Sequence, residues 1–137
     1  MLEWAKAVEE QGAGEIYLTA VDRDGTKEGY DLALIDRIAR AVGIPVIASG
    51  GAGNPGHMLQ AMTNTAASAV SAANFFHFAE HSVIVTKAAM ASAHAAVRLD
   101  THTNYATATF DQDYRLCKHP DSYLEDLLFE KIQREVI

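Results

Sequence analysis

Apolar positions along this chain switch between a period of about 3.6 residues and short continuous runs of strand length, and the switches fall at glycine and proline. Leu2, Ala5 and Val8 share one face at helical spacing, with Glu3, Lys6, Glu9 and Glu10 elsewhere; this predicts a helix over Leu2–Gln11, stopped by Gly12 and Gly14. Ile16, Tyr17, Leu18 and Val21 predict a strand over Glu15–Val21. Leu32, Ile35, Ile38, Ala39 and Val42 return to helical spacing, with Asp31 as N-cap, Gly43 at the C′ position and Pro45 barring continuation. A buried strand follows at Val46–Ala48. Asn54 then caps a third helix with Pro55 at its first position and Met58, Leu59 and Met62 on its buried face.

The second half is less regular. Ala66–Ala73 is a run of small residues whose composition favours helix, but its place in the alternation predicts a strand crowded on both faces. A helix is expected from Ser82 to Ala96, with Val83, Val85, Ala89 and Ala93 among its apolar residues, before a short extended end at Val97-Arg98-Leu99. Asp100 to His119 is polar and turn-rich. Ser122 and Glu125 have capping-box spacing, and Leu124, Leu128, Ile132 and Val136 form an i,i+4 stripe on a last helix.

The order is therefore a helix, three strand–helix units and a tail. Strands alternating with helices predict an α/β fold on a parallel sheet with right-handed crossovers. In such folds ligands sit outside the carboxyl ends of the strands, so the three loops that follow the strands converge on one face.

Those loops carry the candidate chemistry. Ser49-Gly50-Gly51-Ala52-Gly53 leads from the second strand to a helix start. Glycine lets backbone N–H groups approach an anion, and a helix N-terminus leaves its first N–H groups unpaired. A phosphate loop and a plain tight turn both fit that segment. Asp22-Arg23-Asp24-Gly25-Thr26-Lys27-Glu28-Gly29 is either a solvated turn or a ligand loop. In the second case Gly25 N–H and the Thr26 hydroxyl would donate to an anion, with Arg23 and Lys27 as local cations. The third loop begins at Asn74-Phe75-Phe76-His77-Phe78.

Composition narrows the partners. The chain has 137 residues and a formal net charge of −7, against a nucleic-acid or acidic-membrane surface, since both want a basic face. Cys117 is the single cysteine, so no intrachain disulfide forms and a reducing compartment is expected. No apolar run reaches roughly 18 residues, and the amino-terminal residues lack the pattern of a signal peptide, so a cytoplasmic protein is expected. His77 and His81 are four apart, as two ligands on one helix face could be. No carboxylate or cysteine sits at ligand spacing, so no metal and no cofactor are expected.

Leu18–Thr26 with Gly29-Tyr30-Asp31, Ile47–Gly53 and Phe76-His77-Phe78 together resemble the HisF family, the cyclase subunit of imidazole glycerol phosphate synthase. The resemblance covers roughly residues 2–99. It implies a (β/α)8 TIM barrel of which these strands are the sixth to eighth, so residues 1–99 are expected to form a partial barrel and 100–137 a C-terminal extension. It implies that Asp24 and Gly25, then Ser49, Gly50 and Gly51, then Ala73 and Asn74 hold one phosphate of a bis-phosphate substrate. Asn74 stands where the family usually has serine, and Ala66 and Ser68 also depart from its pattern.

The family's catalytic aspartates lie on the first and fifth strands, so no catalytic residue is assigned here; Asp22 and Asp24 do not replace them. A full barrel needs about 250 residues, so a fragment, a truncated frame or half of a split barrel is expected. The implied function is the phosphate-gripping part of a lyase of histidine biosynthesis. That enzyme combines a phosphoribulosyl-formimino-AICAR phosphate with ammonia from a HisH-type glutaminase, giving imidazole glycerol phosphate and AICAR. The implied partners are that glutaminase and the missing N-terminal half-barrel. Three alternatives stay open: a HisF-like amidating synthase for a nucleotide sugar of surface polysaccharide, suggested by the tail and Asn74; a phosphoribosyl isomerase half-barrel; and an inactive fragment or binding module.

Overall fold

The computed structural model describes residues 1–78 and 81–125. Helix α1 (Leu2–Glu10) precedes three strand–helix units: β1 (Ile16–Thr19) with α2 (Leu32–Ala39), β2 (Val46–Ser49) with α3 (Pro55–Asn64), and β3 (Ala69–Val70) with α4 (Ser82–Ser92). A 3-10 turn at Asn74–His77 joins β3 to α4, and a short helix α5 (Asp121–Glu125) closes the described chain. The sheet is parallel in the order β1-β2-β3. Its register sets Thr19 beside Ser49 and Ala48 beside Val70, so the strand ends and their loops share one edge.

Two apolar clusters lie between the sheet and its helices. Ile38 and Val46 join Ala5 in one, with Ile16 and Leu18 packed against it. Tyr30, Ile35, Ala48, Met58, Ala61 and Met90 form the other. The expected face of α2 is buried at Ile35 and Ile38; on α3 Met58 is buried as expected, Leu59 and Met62 are half-buried, and Ala61 is buried in addition. The expected N-caps of α2 and α3 form. Leu34 N–H donates to Asp31 Oδ1 at 3.0 Å, and His57 N–H donates to Asn54 Oδ1 at 3.0 Å.

Several boundaries differ from the sequence expectation. Helix α2 ends at Ala39, and Gly43 is no C′ residue. Its N–H is taken instead by Glu9 Oε1 at 2.7 Å, which ties α1 to the end of α2. The Ala66–Ala73 run is extended, not helical, but only Ala69–Val70 is regular strand. Ser68 N–H and Ser71 N–H still donate to Val46 and Ala48 carbonyls, at 2.9 and 2.8 Å. Parallel pairing with β2 overrides the helix propensity of alanine there.

Helix α4 stops at Ser92 rather than Ala96. His94, at φ 64°, sends its N–H back to Ala91, and Ala95 N–H bonds to Met90. Helix α5 starts at Asp121, which puts Ser122 inside the helix instead of at its cap. Of the expected stripe, Leu128, Ile132 and Val136 lie outside the described residues.

Beyond Leu99 the chain makes a hairpin-like turn. Phe110 and Leu116 pair antiparallel, and Asp111 Oδ1 accepts from Asp113 and Arg115 N–H groups at 2.9 and 2.8 Å. This turn lays Tyr114 against Gly56 on α3, where an added Cβ would sit 2.7 Å from Tyr114 Cε2. Among the described residues no helix is long and apolar enough to cross a membrane.

Candidate anion site at the strand ends

The C-terminal edge of the sheet holds a small hollow of about 30 Å³. Asp24, Gly25, Ser49, Gly50, Gly51, Ala73 and Asn74 all line it. The three loops therefore meet as the parallel topology requires. Lys27, Ala52, Ala72 and Phe75 complete the wall. Among the described residues the N–H groups of Gly25, Gly51 and Asn74 take part in no hydrogen bond, so they remain as donors for a ligand. The amide of Asn74 can donate as the hydroxyl of a serine would, from a longer side chain.

Of the glycines that line the hollow, two are needed by packing whatever it holds. Gly50 has φ 92°, and an added Cβ would lie 2.7 Å from the Ala20 carbonyl oxygen. Gly51 has φ 99°, and an added Cβ would overlap the Gly29 carbonyl oxygen. The contact is held by Gly29 N–H, which donates to Gly51 O at 2.8 Å. The glycine loop is thus a tight turn clamped to its neighbour, and the same clamp presents its backbone to the hollow.

The first loop divides its polar groups differently from the sequence expectation. The Thr26 hydroxyl is not aimed at a ligand: it donates to Arg23 O at 2.8 Å and accepts from Glu28 N–H at 3.2 Å. Arg23 leans toward Glu28, 3.8 Å away, and is not part of the hollow. Lys27 is the cation that lines it, with φ 62° and its Nζ 4.6 Å from the centre of the Phe78 ring. A lysine held on an aromatic face keeps its charge near the hollow. Asp24 brings a carboxylate to the same wall, which opposes an anion.

The supporting shell is built from aromatic and imidazole groups. Gly53 N–H donates to His57 Nδ1 at 3.1 Å, and burial lowers the His57 pKa. Tyr30 is buried; its hydroxyl donates to Ser71 O at 2.8 Å, and burial raises its pKa. Tyr17 donates to Ser49 Oγ at 3.0 Å and lies 2.8 Å from Ser71 Oγ; these two hydrogen bonds lower its pKa. Sequence reasoning assigned none of these three to the site. Only the strand register shows that Tyr17 reaches Ser49.

A larger cleft of about 610 Å³ lies outside the hollow, between the starts of α3 and α4 and under the turn at Asp113–Leu116. Phe75 separates the two. His81 Nδ1 pairs with the Tyr105 hydroxyl at 2.9 Å. Among the described residues no three His, Cys, Asp or Glu side chains converge.

The model of a family of α/β proteins, the histidine biosynthesis proteins, matches residues 1–82. The chain belongs to that family. Its relatives are more particular. It is 54% identical over 98 residues to the imidazole glycerol phosphate synthase subunit HisF of Hydrogenobaculum sp. (strain Y04AAS1), covering 72% of this chain and 39% of that protein. It is 53% identical over 100 residues to the subunit of the same name from Caulobacter vibrioides (strain NA1000 / CB15N), covering 73% and 38%. The chain thus spans under two-fifths of the length of these relatives. A chain from the crystal structure of the Amycolatopsis orientalis BexX/CysO complex is similar with a TM-score of 0.54 and 26% identity, over 69% of this chain and 38% of that one.

Proposed function

We propose that this chain supplies the phosphate-gripping part of an imidazole glycerol phosphate synthase cyclase, with β1, β2 and β3 as the sixth to eighth strands of a (β/α)8 barrel. One observation carries the proposal: the seven residues that the resemblance assigns to a phosphate come from three separate loops and line one hollow at the strand ends. Backbone N–H groups of Gly25, Gly51 and Asn74, the Ser49 hydroxyl and the Lys27 ammonium would hold the phosphate. Such a grip fixes a long substrate so that its reacting centre meets groups elsewhere.

The proton transfers belong to the two aspartates that the resemblance sets on the first and fifth strands. Those strands, and a HisH-type glutaminase supplying ammonia, would be this chain's partners. The paired carboxylates would act as general acid and base during imine formation, cleavage and ring closure. Asp24 would not take that part, because it lines the phosphate hollow.

Ammonia-dependent turnover of the histidine-pathway intermediate tests the proposal. The full chain would be assayed alone and mixed with a separately produced N-terminal half of a HisF relative. Activity in the mixture only is the expected result. Activity of the chain alone would overturn the assignment of the aspartates. A second reading, a HisF-like amidating synthase for a nucleotide sugar, rests on Asn74 in the hollow and on the tail laid over α3. A well-folded mixture inactive on the histidine intermediate but active on a nucleotide sugar would favour it.

A further inference from the structure

The sheet face turned away from the helices carries a row of hydroxyls that leads into the hollow. Side chains alternate along a strand. On β1, Ile16 and Leu18 pack into the helix-side core, so Tyr17 and Thr19 rise from the other face. On β2, Val46 and Ala48 are buried on the helix side, leaving Ile47 and Ser49 opposite. Val70 and Ala72 pack on the helix side too, so Ser71 joins the same face as Tyr17. Tyr17 stands beside Ile47 in the register, and its phenol reaches forward and across to both serines.

Donor and acceptor counting orients this row. A tyrosine hydroxyl has one proton. Tyr17 gives it to Ser49 Oγ at 3.0 Å. The 2.8 Å contact with Ser71 Oγ is then a hydrogen bond only if Ser71 donates to Tyr17. Ser71 is anchored for this at both backbone ends, through its N–H to Ala48 O and its carbonyl from the Tyr30 hydroxyl, each at 2.8 Å. Ser49, only 9% exposed, lines the hollow, and among the described residues its hydroxyl donates to no other group.

We infer that Tyr17 is a positioning residue: the row Ser71 to Tyr17 to Ser49 passes each proton the same way and points the Ser49 hydroxyl into the hollow as a donor. It selects a ligand group that only accepts, such as a dianionic phosphate ester. Hydrogen bonds aligned in one direction strengthen one another, and the last one gains most from an anionic acceptor. This inference rests on the phosphate assignment of the hollow and adds a residue to it.

The test is binding of glycerol phosphate to the full chain, measured by calorimetry, together with the near-ultraviolet tyrosine difference spectrum at saturation. Tyr17→Phe removes one hydroxyl from an exposed ring, so circular dichroism and the unfolding midpoint should stay as in the wild type. Affinity should fall about fivefold to tenfold, as for loss of support to one charge-assisted hydrogen bond. Ser49→Ala should cost about the same, and the double variant no more than either single one, because both remove one pathway. The tyrosine difference spectrum should vanish in Ser49→Ala, which a merely structural role for Tyr17 would not require. Ser71→Ala should give a smaller loss in the same direction, and it stands in for Tyr17→Phe if that variant folds poorly.

Wild-type affinity in Tyr17→Phe, or additive losses in the double variant, overturns the row while leaving the phosphate hollow intact. No binding by the wild type overturns the hollow and the row together.

Discussion

The Gly29 carbonyl lies over Gly51 so closely that any Cβ at Gly51 would overlap it, while Gly29 N–H donates to Gly51 O at 2.8 Å. The first two strand-end loops are thus interlocked through backbone alone. Gly51→Ala should therefore cost about 2 kcal/mol or more, from the positive φ and the clash together. Gly25→Ala is the control. Its φ is 80° but nothing lies within 4 Å of an added Cβ, so it should cost about 1 kcal/mol. Urea unfolding of both variants measures the difference; equal losses would show that the loops are not interlocked.

His57 makes the glycine loop sensitive to acid. Its Nδ1 accepts Gly53 N–H, which needs the neutral ring on that nitrogen, and burial lowers its pKa in the folded chain. The unfolded ring titrates near 6.5. Between that value and the lower folded value the unfolded chain binds more protons, so stability is complete above about pH 6.5 and falls as the pH drops below it. His57→Asn, which keeps an acceptor without a titrating ring, should flatten this part of the profile. Denaturation midpoints from pH 8 to pH 5 decide it, and parallel curves for the two proteins would exclude His57 as the cause.

Lys27 and Asp24 face the same hollow with opposite charge. Lys27→Met keeps the stem over Phe78 and removes the charge; it should weaken glycerol phosphate binding about threefold to tenfold, with the loss shrinking in high salt. Asp24→Asn should tighten binding. Arg23→Met should change it little, because Arg23 is turned toward Glu28. An Arg23 effect as large as that of Lys27 would contradict the geometry of the first loop.

Tyr114 is the contact by which the turn at Asp111–Arg115 seats on α3. Gly56→Ala places a Cβ 2.7 Å from the edge of that ring, which must swing away. The α/β part should keep its unfolding free energy within about 1 kcal/mol, since the change is at the surface of the helix start. The segment around Phe110–Leu116 should become a faster target for limited proteolysis. Unchanged cleavage would mean the turn is held by something other than the Tyr114–Gly56 contact.

By itself the sequence determined the elements and the loops that carry the site. Periodicity through Ile35, Ile38 and Met58 marks buried helix faces because packing demands a constant spacing. Asp31 and Asn54 are legible as caps because the side chain and the N–H it satisfies are three residues apart. Parallel topology sends every strand end to one edge, and the resemblance to the HisF family named the loop residues there from Asp24 to Asn74.

What only the tertiary structure decided is which polar groups face the hollow and which are spent within the chain. Thr26 bonds its own loop, and Gly43 is taken by Glu9, 34 residues away. Lys27, not Arg23, comes to the wall. Tyr17 meets Ser49 and Ser71 across two strand pairings, at separations of 32 and 54 residues. Local pattern fixes the face on which a side chain stands. Its partner depends on register and loop closure, which are set by contacts distant in the chain.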